Sequence, residues 1–345
     1  MKTILVTGAS GFVAKHLIGQ LLAAGHRVRG TVRGQGKVQG VWEAVRLLAP
    51  GREAGLELVE ADLLSDAGWS EAMAGVDAVM HVAAAIVAEE PRDASLVVRP
   101  AVEGTERVLQ HAHAAGVKRV IMTSSIATVG YGLGHERGVR RYTEADFTRI
   151  ETMRRSWAYC IGKTLAEAER AAWAFAGTNG IELTTIHPGA ILGPATDKDT
   201  SISLGLVTGL IDGSTPAMAR IGFAISDVRD VAAMHVAALD KPESIGQRYL
   251  CTGPFMTFKQ VADVLRGAYP ERKITIKVVP DWIIRILAAL GGPVRQIIND
   301  VGNEKHFDGS KGEALLGRPY RSNEEAILSA AESAIRLGLL KTTVV

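Results

Sequence analysis

Short apolar runs and longer segments of helical periodicity alternate along this chain from its third residue. Thr3–Val6, Arg27–Val32 and Leu56–Val59 are strand-like, while Phe12–Ala24 and Val41–Leu48 repeat apolar residues at the spacing of a helix face. Continuously apolar strands joined by helices are typical of a parallel sheet covered on both faces, and right-handed crossovers make such a sheet doubly wound. The expected fold class is therefore α/β, with a doubly wound parallel sheet.

The alternation continues as far as residue 188 and then weakens. Further strands are expected at Ala78–Val82, Arg119–Thr123 and Leu183–Ile186, and further helices at about 100–115 and 159–176. Beyond them, turn signals interrupt the pattern and helical segments outnumber strands. We expect a first domain of residues 1–188, to which 222–253 returns, and a smaller, mostly helical substrate-binding domain of 189–221 and 254–345.

Composition excludes several classes of protein. The 345 residues carry a formal net charge of +2, and 47% are hydrophobic and 22% charged, which argues against a nucleic-acid binder driven by bulk charge and against a disordered chain. Cys160 and Cys251 are too few for a disulfide framework, and no Cys/His cluster has zinc spacing, so no metal is expected. The most membrane-like stretch, Ile283–Leu290, contains Arg285 and is far shorter than the ~20 residues of a spanning helix. Because no signal-peptide pattern follows Met1, we expect a cytoplasmic protein with no membrane partner.

A glycine-rich segment joins the first strand to the first helix. In Thr7-Gly8-Ala9-Ser10-Gly11-Phe12-Val13-Ala14 the glycines allow a tight turn, which brings backbone N–H groups at a helix N-terminus to a phosphate. In a strand–turn–helix unit this pattern predicts a dinucleotide site on a Rossmann-type fold, although the glycines alone also suit a plain tight turn. The residues expected to contact the cofactor here are Thr7, Gly8, Ser10, Gly11, Phe12 and Val13.

The end of the second strand indicates which dinucleotide fits. An Asp or Glu there would bind both ribose hydroxyls of NAD, but this chain has Arg33 at the strand end and Lys37 shortly after it. An arginine without a neighbouring carboxylate favours the 2′-phosphate of NADP(H), a contact of roughly 1.5–3 kcal/mol. The expected cofactor is therefore NADP(H); the alternative for both cations is a solvated surface charge.

Two later strand ends complete the expected cofactor site. Asp62, with Leu63 beside it, is placed to accept a hydrogen bond from the adenine amino group, and the alternative for Asp62 is a helix N-cap. Val82, Ala83 and Ala84 follow the fourth strand, where small residues let the nicotinamide ribose lie against the backbone.

Two segments have the spacing Tyr-x-x-x-Lys, which in a helix places a phenol and an ammonium one turn apart. Tyr159 and Lys163 lie in a strong helical pattern, whereas Tyr269 precedes a proline and the strand-like Ile274–Val278, so Tyr269 is expected in a loop. An ammonium next to a phenol stabilises the phenolate that remains after proton donation. Tyr159 is therefore a candidate proton donor, and Lys163 its partner.

A serine pair follows Arg119–Thr123 at the carboxyl end of the sheet, where ligands of open α/β folds bind. A hydroxyl of Ser124 or Ser125 at this edge can polarise a substrate carbonyl. The alternative for the pair is a strand-end cap.

Segments from nearly the whole chain resemble one enzyme family. Besides the segments above, the matches are Pro100-Ala101-Val102-x-Gly104-Thr105, Pro188-Gly189-x-Ile191-x-Gly193-Pro194, Asp227-Val228-Arg229-Asp230-Val231-Ala232 and Asp308-x-Ser310-Lys311. The chain resembles an extended short-chain dehydrogenase/reductase of the NAD-dependent epimerase/dehydratase superfamily. Within it, the chain is most similar to the dihydroflavonol reductase, cinnamoyl-CoA reductase and yeast-type aldehyde/carbonyl reductase group. The resemblance implies Ser125, Tyr159 and Lys163 as catalytic residues, Arg33 as the reader of the 2′-phosphate and Pro188 as part of the nicotinamide wall.

Three positions depart from that family pattern. Gly130 stands where plant dihydroflavonol reductases carry an asparagine that holds flavonoid hydroxyls, which argues against a flavonoid substrate. Ala168-Glu169 intervene in a helical motif that normally continues without them, so the later turns of that helix are expected to pack differently. Glu103 replaces a residue that is usually uncharged.

The substrate pocket is expected to be apolar. The residues expected to line it are Ile126, Gly130, Tyr131, Ile191, Met218 and Phe223. The glycine-rich segment 130–138 suits a mobile lid over the substrate, and the alternative is a flexible surface crossing.

The expected activity is the NADPH-dependent, reversible reduction of an aldehyde or ketone to an alcohol, on a hydrophobic or aryl carbonyl compound. The alternatives are a sugar-nucleotide epimerase or dehydratase, which shares the fold and the Ser/Tyr/Lys set, and a 3β-hydroxysteroid dehydrogenase-like enzyme. A non-catalytic NADP(H)-sensing protein is the third alternative, and it has no need of Tyr159 and Lys163. The expected partner is a small molecule; whether the chain forms a homodimer is left open.

Overall fold

The computed structural model describes residues 1–84, 93, 95–131, 138–152, 157–198, 203–290 and 293–341, with only the backbone of 157–163, 293 and 296. In chain order its strands are β1 (Thr3–Val6), β2 (Arg27–Val32), β3 (Leu56–Glu60), β4 (Ala78–His81), β5 (Arg119–Thr123), β6 (Gly138–Tyr142), β7 (Glu182–Pro188), β8 (Ala190–Leu192), β9 (Gly222–Asp227), β10 (Arg248–Cys251), β11 (Phe255–Thr257) and β12 (Asn303–Phe307). Its helices are α1 (Phe12–Ala23), α2 (Val38–Leu48), α3 (Trp69–Met73), α4 (Ser95–Ala114), α5 (Trp157–Asn179), α6 (Leu204–Ile211), α7 (Val228–Asp240), α8 (Phe258–Ala268), α9 (Asp281–Ala289), α10 (Ser310–Leu316) and α11 (Asn323–Arg336).

Seven strands form one parallel sheet in the order β3-β2-β1-β4-β5-β7-β10. The chain moves outward from β1 to β3 on one side and then continues from β4 to β10 on the other. This is the expected Rossmann-type, doubly wound sheet, and the direction of travel reverses between β1 and β4. At such a switch point the connections leave β1 and β4 in opposite directions, so a crevice opens at the carboxyl ends of these strands.

Alternate residues of each strand point into two apolar layers, as expected for a sheet covered on both faces. Ile4 and Val6 of β1 join a large cluster with α1, α2 and α7, whereas Leu5 joins a second cluster with α3, α4 and α5. On β4, Met80 belongs to the first cluster and Val79 to the second. Because both faces of the sheet are buried, side chains that reach a ligand have to come from the loops at the strand ends.

The chain after β7 packs against the first of these clusters. It is mostly helical, and α6, α8 and α11 bury their apolar residues together with α1. The segment 222–253, expected to return to the large sheet, divides in the structure: α7 and β10 do return, but β9 pairs with β8 and β11 in a separate three-stranded sheet. The part of the chain after β7 therefore begins with a small sheet of its own.

Some elements differ from the expectation. Helix α4 begins at Ser95 and contains Pro100, because Val97, Val98 and Ala101 are buried and carry the helix past the proline that would otherwise mark its start. The strand-like segment Ile274–Val278 forms no strand and makes only an isolated bridge through Val278. The apolar stretch near residue 285 forms α9, and no helix in the described ranges has the length and apolar character needed to cross a bilayer.

The junction of β7 and β8 provides a test of the packing. A Cβ on Gly189 would lie 2.0 Å from the carbonyl oxygen of Ala224, which is backbone and cannot rotate away. We expect Gly189→Ala to lower the free energy of unfolding by about 1–3 kcal/mol, measured by urea denaturation. The control is Gly177→Ala on an open position of α5, which should raise stability by about 0.5–1 kcal/mol because alanine favours the helix. Equal effects of the two substitutions would contradict the predicted clash.

Candidate active site

The segment after β1 forms a tight turn against the end of β4. Gly8 has a φ of +66°, which favours glycine, and a Cβ at this position would lie 3.0 Å from the Cβ of Ala83. Gly11 is the N-cap of α1 and offers no side chain to cap the first N–H groups of the helix, which begin with Phe12 and Val13. A close backbone approach at an uncapped helix N-terminus suits a phosphate group.

The side chain of Thr7 forms its hydrogen bonds within the protein. The residue is fully buried, and its Oγ1 accepts the N–H groups of Val82 and Ala83, each at 3.0 Å. The same oxygen lies 3.0 Å from Nδ1 of His81, and burial lowers the pKa of His81 to about 4, so this imidazole is neutral near pH 7. The Thr7 hydroxyl therefore ties the end of β1 to the end of β4. Ser10, at the next turn of the loop, is half-buried.

Arg33 directly follows β2 and is exposed. Within the described part of the chain, the structure gives its guanidinium no ion-pair partner. Lys37 is also exposed, at the end of the 3-10 turn Gln35–Lys37. Gly30 lets β2 approach the glycine loop, since a Cβ there would lie 2.7 Å from that of Ala9. This strand end therefore presents a positive charge close to the glycine loop, as a 2′-phosphate ligand requires.

Asp62 forms a turn and does not cap a helix. Its Oδ1 accepts the N–H of Leu64 at 3.0 Å, whereas the next helix, α3, begins only at Trp69. The N-cap alternative is therefore wrong, because the chain makes a separate turn before that helix. Leu63 packs beneath α4, where a Cβ on Gly104 would lie 2.9 Å from the Cβ of Leu63. Ala84, the last of the small residues after β4, is exposed.

Ser125 lies just beyond the carboxyl end of β5. It is the N-cap of the 3-10 turn Ile126–Thr128, and its Oγ accepts the N–H of Ala127 at 3.1 Å. The strand-end cap is thus present, and because the hydroxyl acts as an acceptor in it, the O–H proton stays available for donation to a ligand oxygen. Ser125 is half-buried, whereas Ser124 is buried and points away toward α5.

Helix α5 packs against the turn that Ser125 begins. The backbone of Tyr159 and Lys163 lies in this helix, one turn apart, and their side chains are outside the described residues. Tyr269 follows the last residue of α8, so its Tyr-x-x-x-Lys segment is not helical and the expectation of a loop is confirmed. Pro188 ends β7 and is buried.

The residues expected to line a substrate pocket fall into separate groups. Gly130 is buried, and a Cβ there would lie 2.5 Å from Cζ of Phe307, whose ring stacks on Tyr142 with centroids 5.2 Å apart. Ile126 packs against the same aromatic cluster. Tyr131 lies beneath the ammonium of Lys305, which is 3.5 Å from its ring centroid. Aromatic rings therefore pack around the segment 126–131 that follows Ser125.

The other expected lining residues belong to the edge of the main apolar cluster. Ile191 and Phe223 are half-buried there. Met218 differs from the expectation, because it is only 1% exposed: its backbone is held by Lys277 and Val279, and its side chain packs into the core. Residues 132–137, most of the expected lid, lie outside the described residues.

A group of buried polar residues that the sequence did not predict lies behind Ser125. They are Glu169 on α5, His187 on β7 and Arg248 on β10. Hydrogen bonds link them to residues 124–128, the serine turn. The only signal in the sequence is the departure Ala168-Glu169, which places an additional carboxylate in the helix. Glu103, the other charged departure, is exposed and pairs with Arg99 on α4.

This chain is similar to known proteins over most of its length. The model of the NAD dependent epimerase/dehydratase family matches residues 4–251. Tetraketide alpha-pyrone reductase 1 of Arabidopsis thaliana is 31% identical over 98% of this chain and 97% of its own length. Dihydroflavonol 4-reductase of Zea mays is 34% identical over 78% of this chain and 75% of its own length. The structure of yeast methylglyoxal/isovaleraldehyde reductase Gre2 complexed with NADPH matches with a TM-score of 0.80 and 25% identity, covering 97% of this chain and 99% of that one.

The hydrogen bonds of Thr7 give a test of how the two strand ends are held together. We expect Thr7→Val to lower the free energy of unfolding by about 1–3 kcal/mol, because two partly buried N–H groups lose their acceptor. Thr7→Ser keeps the oxygen and is the matched control, with a smaller loss in the same thermal or chemical denaturation measurement. If the serine variant were as unstable as the valine variant, the methyl group and not the hydroxyl would be responsible.

Proposed function

Because this chain belongs to the NAD dependent epimerase/dehydratase family, we propose that it is an NADPH-dependent reductase that converts an aldehyde or ketone to an alcohol, reversibly. The observation that carries the proposal is the position of Ser125 at the carboxyl end of β5, against the helix with the Tyr159-x-x-x-Lys163 segment and on the same edge of the sheet as the glycine turn after β1. The relatives named above are reductases, which supports the same chemistry.

The coenzyme site would be formed by the loops at the switch point. The N–H groups at the start of α1 would hold the pyrophosphate, Arg33 and Lys37 the 2′-phosphate, and Asp62 with Leu63 the adenine. The nicotinamide half would lie along Val82, Ala83 and Ala84 toward Pro188. Bound in this way, NADPH supplies the hydride.

The protein's own residues would then handle the carbonyl oxygen and the proton. The Ser125 hydroxyl donates a hydrogen bond to the carbonyl oxygen, which makes the carbon a better hydride acceptor. Tyr159 donates the proton to the developing alkoxide, and the Lys163 ammonium stabilises the phenolate. Lys163 would also hold the ribose of the coenzyme, so that the two reactants stay in register.

The surroundings of Ser125 favour an apolar carbonyl compound. Gly130 leaves no room for a polar side chain, because Phe307 fills the space in which its Cβ would lie. Ile126, Ile191 and Phe223 are half-buried apolar residues, the first against the Tyr142–Phe307 cluster and the other two at the edge of the main apolar cluster. We therefore propose a hydrophobic or aryl aldehyde or ketone as substrate.

Sugar-nucleotide epimerases and dehydratases are the alternative to which the family name itself points. An exposed arginine instead of a carboxylate after β2 disfavours the NAD that such enzymes retain. UDP-sugars should therefore leave the melting temperature unchanged while NADPH raises it. A rise with UDP-sugars would favour the epimerase alternative, or a 3β-hydroxysteroid dehydrogenase-like enzyme if steroids were the compounds turned over.

Tyr159→Phe tests the proton donor. We expect the rate of carbonyl-dependent NADPH oxidation to fall by at least about 10²-fold, since the general acid is lost while the ring remains. The measurement is the loss of NADPH absorbance with a panel of aliphatic, aryl and α-keto-ester carbonyls. Tyr269→Phe, in the non-helical segment of the same spacing, is the control and should retain the wild-type rate. Wild-type turnover by the Tyr159 variant would contradict the assignment.

Arg33→Ala tests the coenzyme. We expect it to weaken NADPH binding about 10–100-fold and to leave NADH binding unchanged, because only NADPH carries the 2′-phosphate. Arg27→Ala removes an equally exposed charge from the other end of β2 and is the control. Fluorescence titration of both coenzymes provides the measurement. If Arg33→Ala and Arg27→Ala bound NADPH equally well, the 2′-phosphate would have to be recognised elsewhere.

A further inference from the structure

A buried polar cluster lies directly behind the Ser124–Ser125 pair. It consists of Ser124, Thr128, Glu169, His187 and Arg248, which come from the serine turn, α5, β7 and β10. Glu169 is 1% exposed and Arg248 8%. The cluster therefore joins every element that carries a proposed catalytic group, and all of its residues are buried.

Glu169 is the centre of this cluster. One carboxylate oxygen accepts the hydroxyl of Ser124 at 2.8 Å. The other accepts Nε of Arg248 at 2.9 Å and the indole N–H of Trp173 at 3.1 Å. The carboxylate is thus fully paired, and it fixes the first serine of the pair directly.

Arg248 carries the connection on to the second serine. Its Nη2 donates to Oγ1 of Thr128 at 3.2 Å, and this hydroxyl in turn donates to the carbonyl oxygen of Ser125 at 2.9 Å. Its Nη1 donates to the carbonyl oxygens of Glu144 and Asp146. These bonds fix the plane of the guanidinium. The two bonds of the Thr128 hydroxyl, one accepted and one donated, fix its direction.

His187 makes the last contact with the turn. Its Nδ1 lies 3.2 Å from the carbonyl oxygen of Ser125 and 3.1 Å from Oγ1 of Thr128. Its Nε2 lies 2.9 Å from the hydroxyl of Thr185 and 3.5 Å from Oε1 of Glu169. The next residue in the chain is Pro188, so the cluster also reaches the proposed nicotinamide wall.

The charge states follow from the surroundings. Burial alone would raise the pKa of Glu169, but the neighbouring His187 and Arg248 and the hydrogen bond from Ser124 lower it to about 2. Burial lowers the pKa of His187, against the opposing effect of Glu169. Near pH 7 the cluster is therefore an ionised Glu169–Arg248 pair beside a neutral imidazole.

We propose that Glu169, Arg248 and His187 are positioning residues that fix the carbonyl of Ser125 and hence the direction of its hydroxyl, a role that rests on the reductase function proposed above. The Ser125 side chain has one fixed bond, to the N–H of Ala127, within the turn that the cluster holds. A rotation of that turn would carry the hydroxyl away from the substrate oxygen while coenzyme and substrate still bound.

A second buried carboxylate provides a matched control. Asp230 on α7 is also 1% exposed and pairs with two arginines, Arg318 at 2.6 Å and Arg321, but it holds the segment between α10 and α11 and makes no hydrogen bond to the serine turn. Neutralising Asp230 thus removes a buried carboxylate with two cationic partners, without touching the proposed active site.

The test compares Glu169→Gln with Asp230→Asn. We expect Glu169→Gln to lower kcat about 10–100-fold with little change in KM or in NADPH affinity, because misplacing a catalytic group by about 1 Å can cost that much. Asp230→Asn should lose comparable thermal stability and keep the wild-type kcat. Thr128→Val, which removes the shared hydroxyl and leaves both charges, should lower kcat in the same way and serves if Glu169→Gln does not fold.

Amide hydrogen exchange at residues 124–128 is measured on the same variants and does not depend on turnover. Faster exchange in Glu169→Gln and Thr128→Val, but not in Asp230→Asn, is the expected result. Unchanged exchange and kcat, or an equal loss of kcat in all variants, would overturn the positioning role. If the wild-type protein reduced no carbonyl compound, the reductase function would fail, and the exchange data would still decide whether the cluster holds the turn.

Discussion

The parallel arrangement of the large sheet determines where the candidate residues for coenzyme binding and catalysis lie. Since all seven strands run the same way, the residues that follow β1, β4, β5 and β7 meet along one edge. Hydrogen bonding continues past the strand ends, from Thr7 N–H to the Met80 carbonyl at 3.0 Å and from Ser124 N–H to the Ile186 carbonyl at 2.7 Å. The loops at this edge therefore have the rigidity of the sheet, and a ligand between them would meet backbone and side chains that are already in place.

The large sheet could be predicted from the sequence because most of its strands contain a short apolar run that alternates along the chain with helical segments. The bounds of β1, β2 and β5 agree with the prediction, since burial on both faces leaves few other arrangements. The smaller sheets could not be predicted in this way. β6 pairs with β12, although most of the second half of the chain separates the two strands in sequence. Ile274–Val278 has a strand-like pattern, but no neighbouring strand pairs with it over its length. A strand needs a partner, and the partner is not a local property of the sequence.

The candidate site also contains residues whose roles could be predicted from the sequence and residues whose roles could not. Gly8 could be assigned from the sequence because a positive φ and a close backbone approach are local requirements that glycine meets. The roles of polar side chains depend on distant partners: Thr7 was expected at the cofactor, yet its hydroxyl is used by β4. Glu167 continues the family motif, and Glu169 follows two residues later. Two residues correspond to a rotation of about 200° around the helix axis, so the two side chains lie on different faces of α5. Glu169 is the one that faces Ser124. Only the three-dimensional packing distinguishes these two carboxylates.

Glu169 and Asp230 also show that the role of a buried charge depends on the groups whose positions it fixes. Taking an ion pair out of water costs free energy that the attraction between the charges repays only in part, so neither carboxylate is explained by stability alone. What each pair does fix is geometry, since a fully paired carboxylate and guanidinium leave few orientations open to their neighbours. At Asp230 the geometry that is fixed joins α7 to the segment between α10 and α11. At Glu169 it is the turn of Ser125, whose single remaining O–H proton can be aimed only by the backbone that carries it.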